Sequence, residues 1–423
     1  MEHLLFAAYL VLFAWLVTRV KFFTNSGINS PQLIILFLLK VMAGIFYGWI
    51  GVFYGEMAQM IDTWAYHQES LSEYALLKSD PLEFFGNLFR NNYADGYGNF
   101  LATENSWWND VKANFLIKIM AIFNLFSFGN YYINVIFYSF LTLFGPISLY
   151  RVMQDIFPSK RVIILISCFL IPSFLYWTSG LHKEGLIFTG LSLMISHFYF
   201  GFKQKSFGIG RILTILFCFL LLLILRNFLI LALMPPLFAW IVSEKFRIRP
   251  LIVYPITAVV FVLAFFFARK LSPELDFPQV MATRQAEFLR LGGGSAVEVK
   301  RLLPTPGSFA ALAPQAFSLA ALRPYPSDVR HLLSLAAAAE INFLLLFFLI
   351  FLVFRKKDCP FSPFLLFCLF FSLCVLMLVG YTVNILGAIV RYRSIVLPML
   401  VVPMAARLDW ERLGRLLSKW IKK

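Results

Sequence analysis

The feature that most constrains this chain is its series of long apolar segments. Eleven can be marked, most of them near the length of about 20 residues that an α-helix needs to cross a bilayer. Only 14% of the 423 residues are charged, against about 25% in a soluble domain. The sequence therefore predicts an all-α polytopic membrane protein with about 11 transmembrane helices. The segments are Leu4–Val20, Leu33–Tyr54, Tyr132–Tyr150, Val162–Tyr176, Leu186–Phe200, Ile212–Leu225, Phe228–Val242, Leu251–Ala268, Leu332–Phe354, Phe361–Gly380 and Ile395–Ala406.

The positive charge of the chain follows this predicted topology. The formal net charge is +15, and lysines and arginines cluster in the short loops after every second span and in the C-terminal tail. With eleven spans, all of these regions fall on one side of the membrane, which the positive-inside rule makes cytoplasmic. No basic patch is interleaved with aromatic residues in a soluble segment, so we expect no nucleic-acid partner.

The predicted spans divide the chain into six regions. Two large extracytoplasmic loops, 55–130 and 269–331, separate two N-terminal spans (1–54), a six-helix core (131–268) and three C-terminal spans (332–406). The apolar segment Phe115–Phe126 contains Lys118, and counting it as a span would move the following basic loops outside, so we expect a re-entrant or interfacial helix there. The tail, 407–423, is basic and amphipathic and is expected to bind anionic membrane lipids.

The first large loop begins with a candidate catalytic group. Asp62, Tyr66 and Glu69 share one face if this segment is helical, and His67 is near Asp62 in sequence. A carboxylate beside an imidazole at the outer membrane surface can act as a general base toward an acceptor hydroxyl. We therefore predict Asp62 and His67 as catalytic residues. The alternative is an aromatic interfacial segment with ordinary solvated acids.

A charged triplet lies between two apolar runs, and the loop that joins these runs is too short to move it out of the membrane edge. His182, Lys183 and Glu184 are held at a membrane edge, where a charge near hydrocarbon costs about 2.5–3.5 kcal/mol. We predict that all three bind substrate: Lys183 and His182 would neutralise phosphate oxygens, and Glu184 would orient one of the cations. The alternative is a local Lys–Glu pair at the start of a helix.

Three arginines lie on the predicted outer side of the membrane, where the positive-inside rule does not explain them. Arg226 interrupts a long apolar run, and Arg391 and Arg393 stand at the outer start of the last span, against the positive-inside trend. A guanidinium group binds phosphate with two parallel hydrogen bonds. We therefore predict that all three bind an anionic substrate. Snorkelling of long side chains to the interface is the alternative.

These residues carry a resemblance to a known class. The acid in the first large outer loop, Asp62, resembles that of polytopic bacterial glycosyltransferases of the GT-C class. Pro172–Glu184, together with Arg391 and Arg393, resembles motifs of membrane proteins from bacterial surface-polysaccharide clusters, including Wzy-like polymerases. The resemblance covers most of the span pattern. It implies a GT-C-like fold in the bacterial inner (cytoplasmic) membrane, with its active face extracytoplasmic.

Two functions from different classes stay open at this point. The first, which the resemblance implies, is a membrane glycosyltransferase or glycan polymerase that transfers sugar from a polyprenyl-phosphate-linked donor to a glycan acceptor. The second is a transporter or flippase of an anionic lipid-linked glycan, which would use the same cations. No cofactor is certain, a divalent metal is possible, and no nucleotide-binding motif is present in the sequence. The oligomeric state is left open.

Overall fold

The fold is built from α-helices. The computed structural model describes residues 2–53, 61–90, 107–356 and 362–421, and within these ranges it shows two isolated β-bridges and no strand. Residues 54–60 and 91–106 of the first predicted loop therefore lie outside the described residues. The helices of the N-terminal half are α1 Glu2–Val17, α2 Lys21–Thr24, α3 Ser30–Phe53, α4 Ile61–Ser79, α5 Pro81–Gly86, α6 Trp107–Ser127, α7 Tyr131–Ile156, α8 Arg161–Phe169, α9 Pro172–Ser179 and α10 Lys183–Gln204.

The C-terminal half continues the same architecture. Its helices are α11 Ile209–Leu225, α12 Asn227–Phe246, α13 Pro250–Phe267, α14 Phe277–Leu291, α15 Pro306–Ala321, α16 Leu332–Phe354, α17 Pro363–Thr382, α18 Leu386–Ser394, α19 Leu397–Arg407 and α20 Trp410–Ile421.

Seven of the described helices are long and apolar enough to cross a membrane: α3, α7, α10, α12, α13, α16 and α17. Two bent pairs bring the number to nine if each pair forms one span: α8 with α9, bent by 57°, and α18 with α19, bent by 59°. A proline stands in the first turn after each break, Pro172 in α9 and Pro398 in α19. Proline suits the first turn of a helix and disfavours helical backbone in the residue before it, so it restarts the chain in a new direction.

The predicted polytopic α-helical class is confirmed. The two remaining predicted spans correspond to α1 and α11, which are apolar but only 16 and 17 residues long. A helix of that length is near the lower limit for crossing a bilayer. The count of eleven crossings and the sidedness of the loops therefore stay predictions.

The centre of the bundle is formed by α7 and α10, whose side chains are mostly buried. Gly145 of α7 allows their close approach, because a Cβ atom there would lie 2.9 Å from the Thr189 Cα of α10. By contrast, α13 and α16 expose apolar side chains along most of their length. Such surfaces are expected to face lipid.

Both predicted outer loops contain folded helices. In the first, α6 is continuous over the segment predicted to be re-entrant or interfacial, and it packs on α4. Lys118 is buried and paired, because its ammonium lies 2.9 Å from the Glu73 carboxylate. In the second, α15 packs so closely on α17 that a Cβ atom at Gly380 would clash with the backbone of Ala316. The interfacial placement of α6 and the lipid contact of α20 stay predictions.

Candidate functional site

The turn between α9 and α10 is fixed by neighbouring helices. The Thr63 hydroxyl of α4 donates a hydrogen bond to the Leu181 carbonyl oxygen at 3.0 Å, and the Tyr138 hydroxyl of α7 donates to the carbonyl oxygen of His182. Gly180 lies against the Tyr47 ring of α3, and an added Cβ atom would stand only 2.3 Å from that ring. Residues 180–182 therefore have a defined conformation, which orients the charged triplet that follows.

Glu184 is the centre of the charges around this turn. Its side chain is fully buried, and its carboxylate accepts hydrogen bonds from His182 Nδ1 and, at 2.6 Å, from Arg226 Nη2. The Nε atom of Arg391 lies 3.7 Å from the same carboxylate. A buried carboxylate is stable only when it is paired and hydrogen-bonded, so these three partners hold Glu184 in its ionised form.

Asp62 joins the same group from α4. Its carboxylate lies 3.4 Å from Arg391 Nη1 and 3.7 Å from His182 Nε2. Half of the Asp62 side chain is exposed, at 51%, so it is the accessible acid of the group. Its interaction with His182, helped by the positive charge of Arg391, lowers the pKa of Asp62 to about 2. Asp62 is thus a carboxylate at neutral pH.

The five residues Asp62, His182, Glu184, Arg226 and Arg391, here called the charge cluster, come from four separate places in the sequence. All five were predicted as site residues, and the structure brings them together through direct contacts. The cluster holds two carboxylates and two guanidinium groups, which balance, with one imidazole between them. The Nε2 atom of His182 lies 3.4 Å from Arg391 Nη1 and 3.7 Å from the Asp62 carboxylate.

A cavity beside the charge cluster is lined by cations. It encloses about 650 Å³ of empty space, part of it open to solvent. Its polar wall, here called the cation pocket, consists of Lys112, Lys183, Arg226, Arg284 and Tyr392. No carboxylate in the described part of the chain lines this cavity, and none lies within 4.0 Å of Lys112, Lys183 or Arg284. Arg226 is paired with Glu184, and the nearby charge of Glu287 acts on Arg284, so the described side chains balance the positive charge of the pocket only in part.

Aromatic rings and loop helices hold these cations in place. The guanidinium of Arg226 lies 4.4 Å from the Tyr392 ring centroid, and that of Arg284 lies 3.9 Å from the Phe228 ring centroid. Burial, reinforced by the nearby charges of Lys183 and Arg284, lowers the pKa of Lys112 to about 7. Burial likewise lowers the pKa of Arg284. An anion in the pocket would relieve this crowding of like charges.

Most of the other residues that line the cavity are apolar. They come mainly from the spanning helices α12 and α17, with single residues from adjoining segments. The apolar lining residues are Leu225, Phe228, Leu229, Ala232, Val375, Leu378, Val379, Val383 and Ile395, and Asn227 and Thr382 are polar. The cavity therefore combines cationic side chains with an apolar surface.

Two predicted site residues lie elsewhere. His67 faces the opposite side of α4 from Asp62, where its ring packs 5.3 Å from that of Tyr131. Arg393 is buried and donates hydrogen bonds to the carbonyl oxygens of Ala320, at 3.1 Å, and Arg323, at 2.6 Å. It thus caps the C-terminal end of α15, a favourable place for a cation. Neither residue contacts the charge cluster or lines the cation pocket, so the structure does not bring them together with the other predicted site residues. Their predicted catalytic and substrate-binding roles stay predictions.

Three residues of the cation pocket were not predicted as site residues. Lys112 lies on α6, Arg284 on α14 and Tyr392 between the two arginines of α18. Arg284 was one of several basic residues in the second outer loop, and no spacing distinguished it from Arg290 on the same helix. Only the packing of α6 against α11, and of α14 against α13 and α17, selects these side chains.

The described residues contain no group of three or more His, Cys, Asp or Glu side chains that could hold a metal ion. The predicted possibility of a divalent metal stays a prediction.

No protein-family model, curated protein or solved structure matches this chain. The fold and the site define a polytopic α-helical membrane protein with a cation-lined cavity next to an accessible carboxylate, and its function is argued below from that geometry.

Proposed function

We propose that the protein is a membrane glycosyltransferase or glycan polymerase that takes sugar from a polyprenyl-phosphate-linked donor. The observation that carries the proposal is the cavity itself, which is lined by four basic side chains and by apolar residues and adjoins an accessible carboxylate. A lipid-linked sugar phosphate has the matching parts: an anionic group next to a hydrocarbon chain, and a sugar on the other side of the phosphate.

The donor phosphate would lie in the cation pocket. Lys183 and Lys112 would act as point charges toward its oxygens, whereas Arg226 and Arg284 would donate paired hydrogen bonds. The polyprenyl chain would run along the apolar lining residues of α12 and α17. Because the four basic side chains are partly buried, their contacts with the phosphate would be stronger than on an open surface.

The sugar would then extend toward the charge cluster, because Arg226 belongs to both groups. An acceptor hydroxyl near Asp62 would attack the anomeric carbon; the bond between that carbon and the phosphate oxygen would break, and the hydroxyl proton would pass to the Asp62 carboxylate. The negative charge that develops on the leaving lipid phosphate would be stabilised by preorganised cations, which is an effective way to lower a barrier.

His182 and Glu184 support this step from within the protein. Glu184 orients the imidazole and the guanidinium of Arg226, and His182 with Arg391 keeps Asp62 ionised. The imidazole acts on the proposed base from close by, since His182 Nε2 lies 3.7 Å from the Asp62 carboxylate. With the basic loops cytoplasmic, the site would open on the extracytoplasmic face of a bacterial inner membrane.

The test compares variants in cells that express the chain. Asp62→Asn and Lys183→Ala should each abolish the glycan product and cause the lipid-linked donor to accumulate, as measured by mass spectrometry of lipid extracts and surface glycans. Lys203→Ala is the matched control, because Lys203 pairs with Asp155 at an exposed position far along α10 from the triplet. It should leave both quantities unchanged.

Two results would contradict the proposal. The first is an unchanged glycan product in both variants at normal protein level. The second is obtained with purified protein in liposomes: if the donor crosses the bilayer unmodified and no sugar is transferred to an acceptor, the protein is a transporter of the lipid-linked glycan.

A further inference from the structure

The short helix α9 has a buried charge from another helix at each of its ends. It is the half of the broken α8–α9 pair that leads directly into residues 180–182 and the triplet. The last residue of α9, Ser179, stands three positions before His182. Any shift of α9 would therefore be passed to the charge cluster.

Glu340 of α16 acts at the N-terminal end. Its carboxylate accepts a hydrogen bond of 2.6 Å from the backbone N–H of Ser173, in the first turn of α9. The side chain of Glu340 is buried. Pro172 has no N–H group, and Ile171 before it provides no side-chain cap. A carboxylate at this position matches the positive end of the helix dipole and binds one of its free donors.

Lys40 of α3 acts at the C-terminal end. Its ammonium donates a 2.7 Å hydrogen bond to the Thr178 carbonyl oxygen and lies 3.3 Å from the Ser179 hydroxyl. Lys40 is 3% exposed, in the middle of a predicted span. Among the residues that the structure describes, no carboxylate lies within 4.0 Å of it. Its polar partners are thus the end of α9, where carbonyl groups lack intrahelical donors.

The contact between α3 and α9 leaves little room for movement. A Cβ atom at Gly44 of α3 would lie 2.6 Å from the Ser179 carbonyl oxygen, and Gly180 meets Tyr47 of the same helix. The backbone of α9 therefore rests directly on α3. A simple apolar contact would fill this space equally well, so packing alone does not explain an ammonium group at this position.

We propose that Lys40 and Glu340 are positioning residues, whose opposite charges hold the two ends of α9 and thereby fix the turn that orients His182 and Glu184. Neither side chain touches the charge cluster or lines the cation pocket. Their effect on catalysis rests on the function proposed above. Their effect on α9 does not, so the two can be measured separately.

The first measurement is amide hydrogen exchange of the full-length protein in lipid nanodiscs. Lys40→Met and Glu340→Gln should each accelerate exchange in peptides that cover residues 173–182 by about ten- to thirtyfold. Lys40→Arg keeps the charge and should restore most of the protection. Tyr254→Phe is the control: it removes a buried hydrogen bond from α13 to the Pro363 carbonyl oxygen, away from α9, and should leave these peptides unchanged.

The second measurement combines the two substitutions. Because both charges act on one short helix, the fold-acceleration of exchange in the double variant should be smaller than the product of the accelerations in the two single variants. Either substitution combined with Tyr254→Phe should instead give the product of its two single effects. If sugar transfer is established, the turnover number should fall in both single variants by more than the affinity for a polyprenyl phosphate does.

Two outcomes would overturn the proposal. One is exchange at residues 173–182 that stays at the wild-type rate in both single variants. The other is acceleration spread evenly over α7, α10 and α17, which would make Lys40 and Glu340 general core residues. Local acceleration without any sugar transfer in the unmodified protein would instead support the positioning role and refute the proposed function.

Discussion

Replacing Glu184 by glutamine is the sharpest perturbation of the charge cluster, because it should move stability and anion affinity in opposite directions. The glutamine keeps the size of the side chain and removes its charge. Arg391 would keep Asp62 as a partner, whereas Arg226 would lose the carboxylate with which it is paired; their side chains are 18% and 16% exposed. Removing one partner of a buried pair costs about 3–5 kcal/mol. We expect about 3 kcal/mol, since the amide oxygen can still accept from Arg226.

The affinity for an anion should rise in the same variant. Arg226 Nη2 lies 2.6 Å from the Glu184 carboxylate. An anion bound to the other edge of that guanidinium would therefore lie roughly 7 Å from Glu184. At an effective dielectric constant of about 20, repulsion between two charges at this distance is about 2 kcal/mol. Its loss would tighten binding by at most roughly thirtyfold, and by about threefold if solvent screens most of the repulsion.

The assay measures both quantities on purified protein in nanodiscs. Denaturant unfolding gives the loss of stability, and titration with farnesyl phosphate, a short polyprenyl phosphate, gives the affinity. Sugar transfer should fall even though the donor binds more tightly, because His182 loses the carboxylate that orients it. Glu184→Asp keeps the charge and should retain more stability. Asp155→Asn, which breaks an exposed pair with Lys203, should cost less than about 1 kcal/mol.

The reasoning would be refuted by weaker binding of farnesyl phosphate to Glu184→Gln in a folded protein. That result would mean that Glu184 contributes to the anion site by holding Arg226 in position, and that its charge is not felt in the pocket. Unchanged stability would equally refute the view that Glu184 neutralises two buried arginines.

Three further predictions concern the cation pocket and the turn. Arg284→Ala should weaken binding of farnesyl phosphate at least tenfold, because it removes a charged donor, whereas Arg290→Ala, at an exposed position of the same helix, should change it less than twofold. The pKa of Lys112 is lowered to about 7, and a bound anion favours its protonated form. The affinity for farnesyl phosphate should therefore fall by up to about tenfold per pH unit as pH rises from 7 to 9. A Lys112→Met variant should lose this pH dependence in the same titration. Gly180→Ala should cost about 1–3 kcal/mol in denaturant unfolding, because its methyl group would overlap an aromatic ring. Gly210→Ala, in the first turn of α11 with no atom within 4 Å, should not lower stability, because alanine is the better helix former.

Much of the candidate site could be predicted because charge is expensive near hydrocarbon. Four site residues could be recognised because each is a charge beside an apolar segment or on the side of the membrane where its sign is unexpected. The structure places these four in one cluster: Asp62, Glu184, Arg226 and Arg391. The cost of burying a charge applies to each residue by itself, so it can be read without knowing any contact. The same argument could not find Lys112, which lies in a segment where charges are common.

Sequence alone could not say which of two neighbouring charges faces the site. Arg391 and Arg393 are both in α18, and residues two apart point about 200° away from each other on a helix. Arg391 therefore reaches the charge cluster while Arg393 turns to α15. Asp62 and His67 are five apart, about 140° around α4, so one faces the cluster and the other the Tyr131 ring. Helix rotation is set by packing, which the sequence does not state.

The transmembrane segments, too, could be predicted only in part. Apolar length predicts where helices lie, and all eleven predicted segments correspond to described helices or bent pairs. The bends could not be located from hydropathy, because α8 and α9 together form one continuous apolar run. Prolines marked both breaks, yet Pro146 lies within the unbroken helix α7 and Pro255 within α13, so a proline alone does not predict a break.

The breaks and the buried charges have one physical cause. A helix that ends inside a bundle leaves backbone groups without partners, and no bulk water reaches them. In this chain such ends are met by charged side chains of other helices: Glu340 and Lys40 at α9, and Arg393 at α15. Charges beside an interior helix end are therefore of two kinds: those that bind backbone groups, such as Arg393, and those that contact other charged side chains, such as Arg391. Only the second kind can bind a ligand without unfolding a helix end. Substrate binding is therefore expected at the charge cluster and the adjoining cation pocket.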